Sequence, residues 1–310
     1  MKILFVASGN SKSGVSPIVK AQADSLIKQG IELSLFTIKG KGIKGYLSNI
    51  RSLKKTIIQL KPDIVHAHYS LTAFVASLSS KKRIVVSLMG SDVKSSNKFK
   101  PLIRLLAKYA WGAIIVKTED MKKSIQLKNS VVIPNGVDLS VFKPMQKREC
   151  REQLSLDQNK TYVLFAADPL RPEKNFALPK ETKKQLGQLD NELIWLKGVS
   201  QTEIPIWMNA ADVVILSSLW EGSPNVIKEA MACNRPIVST NVGDVEWLFG
   251  NEPGHFIAGF DVNDYTSKLK LAIAYAKEQG TTQGRQRIMH IGLDSEKVAE
   301  RIISIYNSII

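Results

Sequence analysis

Two successive rounds of short apolar runs separated by helical stretches constrain the fold of this chain more than any other feature. In the first round, residues 3–7, 31–38, 64–67, 84–88, 113–116 and 131–134 read as strands. Helical spacing fills intervals near 18–29, 47–60, 73–78 and 101–110. Apolar strands alternating with helices predict a parallel sheet covered on both faces. The pattern restarts with strands at 162–167, 193–196, 213–216, 236–240 and 255–257, and helices near 175–186 and 204–210. The polar stretch 143–160 reads as the linker, which predicts domains at 1–145 and 146–294. A last helix at 295–310 carries Val298, Ile302, Ile305, Tyr306 and Ile309 on one face, and we expect it to cross back to the first domain. The fold class is α/β, with two doubly wound, Rossmann-like parallel-sheet domains. Ligands of such domains bind outside the carboxyl ends of the strands.

Charge divides the two rounds. Residues 1–150 hold 26 Lys and Arg against 8 Asp and Glu, a net of +18, whereas residues 151–310 carry a net of −3. An asymmetry of this size predicts an anionic surface as partner of the first half. The basic residues concentrate at Lys39, Lys41, Lys44, Arg51, Lys54 and Lys55, and again from Lys98 to Trp111. Around 101–110 they accompany Leu102, Leu105, Leu106 and Tyr109, expected on one side of a helix, a composition that suits a membrane surface; a core helix with a solvated basic face is the plain alternative. No helix-turn-helix, zinc or base-stacking motif accompanies the charge, so no nucleic-acid partner is expected. The opening residues carry one charge and too short an apolar run for a signal peptide, and no run is long enough to span a bilayer. Cys150 and Cys233 lack metal-like or framework spacing. We expect a cytoplasmic protein, peripheral at the inner face of the cell membrane.

The segment from Glu221 to Glu229, Glu-Gly-Ser-Pro-Asn-Val-Ile-Lys-Glu, sets two carboxylates eight positions apart across a loop that becomes a helix. Ser223 suits the N-cap and Pro224 the first helical position. The free amides at a helix start attract phosphate, and carboxylates accept hydrogen bonds from sugar hydroxyls. Together they fit a nucleotide sugar.

This segment resembles the donor motif of the retaining glycosyltransferases of family 4. The resemblance covers nearly the whole chain and in detail is closest to bacterial enzymes of teichuronic acid and capsule assembly. It implies a GT-B fold, with the two domains facing each other across a cleft. It also implies that Glu221 faces the transferred sugar, that Glu229 holds the ribose, and that Gly222, Ser223, Pro224, Asn225 and Val226 line the distal phosphate and sugar. Arg171 and Lys174 correspond to the cations of the donor diphosphate, although the usual arginine position holds Pro169. Gly14 corresponds to a glycine-rich loop near the phosphates. Gly198 and Val199 fall where the family places the base, and His68 on the acceptor side. Met89 stands where many members have a histidine; either that histidine is dispensable for this acceptor, or His68 or Asp92 takes over its part. Gly40-Lys-Gly-Ile-Lys-Gly45 matches a dinucleotide fingerprint only on paper, because it follows the second strand and lacks the ribose-binding acid.

The expected function is transfer of a hexose from a UDP- or GDP-sugar to a lipid-linked or oligosaccharide acceptor, with retention and with neither metal nor cofactor. The chain contains no Asp-x-Asp pair for a metal–diphosphate complex. A sugar-nucleotide epimerase of the same fold, or a weakly active homologue that binds nucleotide sugar as a partner subunit, are the alternatives.

Overall fold

The computed structural model describes residues 1–11, 14–81, 83–90, 100–127, 129–187 and 191–310. It divides into two compact units: residues 1–136 with 295–310, and residues 137–294.

The first unit runs β1 (Lys2–Ser8), α1 (Pro17–Lys28), β2 (Glu32–Ile38), α2 (Gly42–Leu47), α3 (Ile50–Leu60), β3 (Ile64–His68), α4 (Ser70–Ser79), β4 (Ile84–Ser87), α5 (Lys100–Tyr109), β5 (Trp111–Val116), α6 (Glu119–Ile125) and β6 (Ser130–Val132). Its strands pair in parallel in the order β2-β1-β3-β4-β5-β6. β3 and β4 are buried along their whole length, so neither alternates between apolar and exposed polar positions, and even His66 and His68 of β3 are buried. The expected helix 47–60 is two helices. Asn49 separates them, since its side-chain amide donates to the carbonyls of Lys39 (2.9 Å) and Gly45 (2.7 Å). On α5 the core side is Ile103 and Ala107, with Leu106 packed beside them, while Leu102, Leu105 and Tyr109 point outward and are exposed. The four apolar residues grouped on one side by sequence thus fall on two. Residues 91–99, including Asp92 and Lys98, lie outside the described residues.

The second unit runs α7 (Lys147–Gln153), β7 (Thr161–Phe165), a 3-10 turn (Pro172–Lys174), α8 (Ala177–Leu186), β8 (Asn191–Trp195), α9 (Ile204–Ala210), β9 (Val213–Leu216), α10 (Asn225–Ala232), β10 (Ile237–Thr240), α11 (Val245–Phe249), β11 (His255–Ala258), α12 (Val262–Glu278) and α13 (Gly284–His290). Its sheet is parallel in the order β11-β10-β9-β7-β8. The stretch read as a linker is structured here. Arg151 of α7 is buried, its guanidinium paired with Asp212 (2.7 Å) and donating to the carbonyls of Ala210 (3.0 Å) and Gln158 (2.9 Å). Met145 N donates to Asn209 Oδ1 (2.9 Å), and Arg285 donates to the carbonyls of Leu139 and Phe142, so the segment before residue 145 also packs on the second unit.

The chain returns to the first unit in α14 (Ser295–Ile309). Val298, Ala299, Ile302 and Tyr306 are buried, and Arg301 donates to the carbonyl of Val132 (2.7 Å). Deepest lies Tyr306, whose hydroxyl meets His66 Nδ1 at 2.6 Å, while His66 Nε2 meets Ser87 Oγ at 2.9 Å. Burial holds the Tyr306 phenol well above its ordinary range, so it stays protonated. Tyr306→Phe should destabilise the first unit by about 1–3 kcal/mol, since it strands a buried ring nitrogen. Urea denaturation read by fluorescence checks this, and an unchanged midpoint would show that the bond carries no weight.

Candidate active site

In the second unit the strand order reverses at β7, with β8 on one side and β9 on the other. Chains leaving the carboxyl ends of β7 and β9 part there and leave a crevice, the favoured ligand position of such sheets. Both conspicuous sequence segments fall on this edge. Arg171 and the turn Pro172–Lys174 follow β7, and Glu221 follows β9.

The two loops are tied across the crevice. Lys174 Nζ pairs with Glu221 Oε1, which also accepts from Ser218 Oγ at 2.8 Å. Ser217 Oγ donates to the carbonyls of Lys174 (2.9 Å) and Asn175 (3.1 Å), and Leu219 N donates to the carbonyl of Glu173 (2.9 Å). Asn175 takes a left-handed φ of 52°, which ends the 3-10 turn and delays α8 to Ala177, two positions later than expected. Arg171 is arranged differently. Its Nη2 and Nε lie 2.6 and 2.8 Å from Glu173 Oε1, with the guanidinium more than half exposed.

Helix α10 begins one residue later than sequence implies. Pro224, at φ −69° and ψ 115°, is the N-cap, and among the described residues no side chain caps the first amides. Ser223 Oγ instead accepts from Lys228 Nζ at 3.1 Å. The loop is pressed from β10: a Cβ on Gly243, which sits at φ +62°, would lie 2.0 Å from the Gly222 carbonyl oxygen. Asp244, the next residue, completes a buried charged group with Lys228 and Glu229. Burial pushes the Glu229 carboxyl up to about 7, with Lys228 opposing. Burial pulls the Lys228 ammonium down to about 8 against Asp244 and Glu229. Burial likewise raises Asp244, against Lys228 and the Ser223 hydroxyl. Gly198, at φ +71°, and Val199 follow β8 on the same edge of the sheet. Lys174, Glu221 to Val226 and Glu229 therefore gather around the crevice with Gly198 and Val199 on the adjoining loop. Two residues here escaped the sequence reading. Ser218 gave no signal, and Lys228 gave only a faint one, as a lysine in a helix otherwise spaced for packing.

The first unit has its own reversal, between β1 and β3. Gly14 lies past β1 at φ +77°, with open space where a Cβ would be. His68 ends β3 and is buried. Its ring stacks on His66 at 4.4 Å and tilts against Phe5 at 4.4 Å, since alternation along the strand puts both histidines on one face. Neither His68 ring nitrogen has a hydrogen-bond partner among the described residues. Burial, helped by Lys117, pulls its pKa down to about 3, so His68 is neutral at physiological pH. Tyr69, directly after it, is held at φ 88°, a strained value for a residue with a Cβ. Met89 is half-buried after β4, and Asp92 falls outside the described residues.

Comparison with known proteins gives these features a setting. A model described as glycosyl transferases group 1 matches residues 153–274, and one described as glycosyl transferase 4-like matches residues 14–116. The glycosyltransferase TuaC of Bacillus subtilis, assigned to teichuronic acid biosynthesis, is 29% identical over 218 residues, 62% of this chain and 56% of that protein. The Escherichia coli UDP-Gal:alpha-D-GlcNAc-diphosphoundecaprenol alpha-1,3-galactosyltransferase is 28% identical over 279 residues, 75% of this chain and 70% of that protein. Thus the match spans little more than half the length of the first relative. Anabaena HepE, solved with UDP and glucose, superposes with a TM-score of 0.74 over 99% of this chain and 100% of its own, at 18% identity. That likeness is one of fold, and the fold is GT-B.

The His68 environment has a consequence for stability. Its pKa is about 3 folded and about 6.5 unfolded, so as pH falls below 6.5 the unfolded state takes up the proton first. Unfolding free energy is then full above pH 6.5 and declines toward pH 3, with His66 and His255 adding in the same direction. His68→Leu should flatten part of this decline in a pH series of denaturation curves. A slope equal to that of the wild type would contradict the assignment.

Proposed function

We propose that this chain, a member of glycosyltransferase family 4, transfers a hexose from a UDP- or GDP-sugar to a lipid-linked saccharide, with retention at the anomeric carbon, in cell-surface polysaccharide synthesis. The observation that carries this reading is the Lys174–Glu221 pair set at the strand reversal beside a helix whose first amides take no side-chain cap among the described residues.

In this reading the diphosphate lies against Lys174 and the start of α10, the ribose hydroxyls on Glu229, and the base by Gly198 and Val199. The bond from the anomeric carbon to the diphosphate oxygen breaks while the acceptor oxygen bonds to that carbon on the same face. The acceptor's proton passes to the departing diphosphate. Charge grows on that diphosphate as the bond breaks, so a cation fixed beforehand lowers the barrier more than it tightens binding. Arg171 joins by leaving Glu173, which its exposure allows. Lysine, arginine and helix amides meet the diphosphate charge, so turnover should resist EDTA. His68, neutral and with neither ring nitrogen hydrogen-bonded among the described residues, is a contact for the acceptor. Met89 keeps a second reading in play, a nucleotide-sugar-binding partner subunit, and turnover on any lipid-linked acceptor decides against it.

The acceptor's lipid fits the first unit. No helix among the described residues is long and apolar enough to cross a membrane. Exposed Leu102, Leu105 and Tyr109 lie on α5 with Lys108, and exposed Ile43, Leu47, Ile58 and Leu60 lie on the basic α2 and α3. These faces suit contact with anionic lipid.

Lys174→Ala should depress turnover more than donor affinity, measured by coupled assay and calorimetry; equal losses would mean that it only binds. Glu229→Ala should weaken donor binding by roughly 1–3 kcal/mol. Wild-type donor affinity should fall as pH drops through about 7, where Glu229 takes up its proton, and Glu229→Gln should remove that dependence. A pH-independent affinity would sink the ribose assignment. In vesicle sedimentation, Leu105→Glu with Tyr109→Ser should reduce binding to phosphatidylglycerol vesicles. Retention of the variant equal to that of the wild type would exclude α5 from the membrane face.

A further inference from the structure

Ser223 stands where a serine ordinarily closes a helix start. Its hydroxyl is placed two and three residues before the amides of Asn225 and Val226, and Ser-Pro is a favoured opening for such a cap. In the structure the cap is not made. Pro224 lies outside helical ψ, no side chain takes the first amides, and Asn225 Oδ1 is buried without a partner among the described residues. The Ser223 hydroxyl is engaged from the other side by Lys228 at 3.1 Å.

Lys228 is fully buried, one turn inside α10. A buried ammonium must be surrounded by acceptors, and the groups facing it include the Ser223 hydroxyl from the loop, the Asp244 carboxyl after β10, and Glu229 from its own helix. Withdrawing one acceptor from a buried charge costs more than a serine cap returns, so the lysine wins the hydroxyl. Gly243 leaves the loop little room to retreat, because its Cα faces the Gly222 carbonyl too closely for any side chain.

We propose that Lys228 is a positioning residue for the donor: by holding the Ser223 hydroxyl in a buried Lys228–Ser223–Asp244 group, it keeps that hydroxyl off the start of α10 and leaves the Asn225 and Val226 amides for an anionic ligand. The ligand is the distal phosphate of a nucleoside diphosphate sugar, and in this the inference rests on the donor reading above. Lys228 acts without touching the ligand, and its replacement should let Ser223 close the helix on itself.

The test uses the intact chain as wild type, Lys228→Met, Ser223→Ala and the double variant. Hydrogen exchange of the Asn225 and Val226 amides is measured by NMR without ligand, and binding of UDP and GDP, each in turn, by calorimetry. Lys228→Met should slow exchange at these amides roughly fivefold, the strength of an ordinary cap, and weaken nucleotide binding by a similar factor. Adding Ser223→Ala should reverse both, a recovery that mere loss of packing does not give. Unchanged exchange in Lys228→Met, or a double variant as impaired as the single one, overturns the proposal. If Lys228→Met does not fold, Lys228→Met with Asp244→Asn removes both charges and carries the same expectation, with and without Ser223→Ala. A wild type that binds neither nucleotide sinks the donor reading and the donor role of Lys228 with it. Slowed exchange in the variant would then still show that the lysine holds the serine.

Discussion

The ion pair between Lys174 and Glu221 joins two loops that leave neighbouring strands in diverging directions, and the chemistry proposed for this edge of the second unit depends on that joint. Its contribution to stability is small in net terms, because taking both charges out of water offsets most of their attraction. Its value lies in order. Ser218 holds the carboxylate, Ser217 holds the backbone under the lysine, and Leu219 reaches back to Glu173, so the ammonium is fixed before any ligand arrives. A cation already in place needs little rearrangement when negative charge grows beside it, and preorganisation of that kind is the largest single lever in many active sites. Arg171 is the opposite case, an exposed guanidinium parked on a neighbouring carboxylate and able to move.

Both sheets were legible in the sequence, because strands buried on both faces leave apolar runs with no other use. The Glu221–Glu229 corner was equally legible, through a rare string of turn and cap residues. Other elements were not. Helix α7 hid in a polar stretch, because its burial rests on Arg151 and Asp212 rather than on apolar residues. Helix α6 was passed over too, although Thr118 caps it by accepting from Met121 N at 3.2 Å. The cap of α10 was misplaced because Ser223 has a competing donor in Lys228, five residues on, and helical spacing alone does not show which of the two claims its hydroxyl.

The two histidines of β3 show the same limit at single-residue scale. Alternation puts both on one face, and it cannot tell which is satisfied. His66 spends both ring nitrogens on Tyr306 and Ser87, partners 240 and 21 residues away, and is structural. His68, two positions on, has none among the described residues and adjoins the strained Tyr69. Strain and an unsatisfied polar ring are both costs, and their meeting at the carboxyl end of a strand beside a sheet reversal is where functional residues concentrate.

The placement of α14 bears on how the chain acquires its structure. Residues 295–310 belong to the first unit, yet they follow the whole of the second in synthesis. On the ribosome, residues 137–294 emerge as one continuous stretch with every partner of their sheet present, whereas the first unit waits with His66 lacking Tyr306. Domains usually mature in the order in which they are made. Here the order is inverted: the later unit can close first, and the earlier one is finished only when residues 295–310 have been made and return to it.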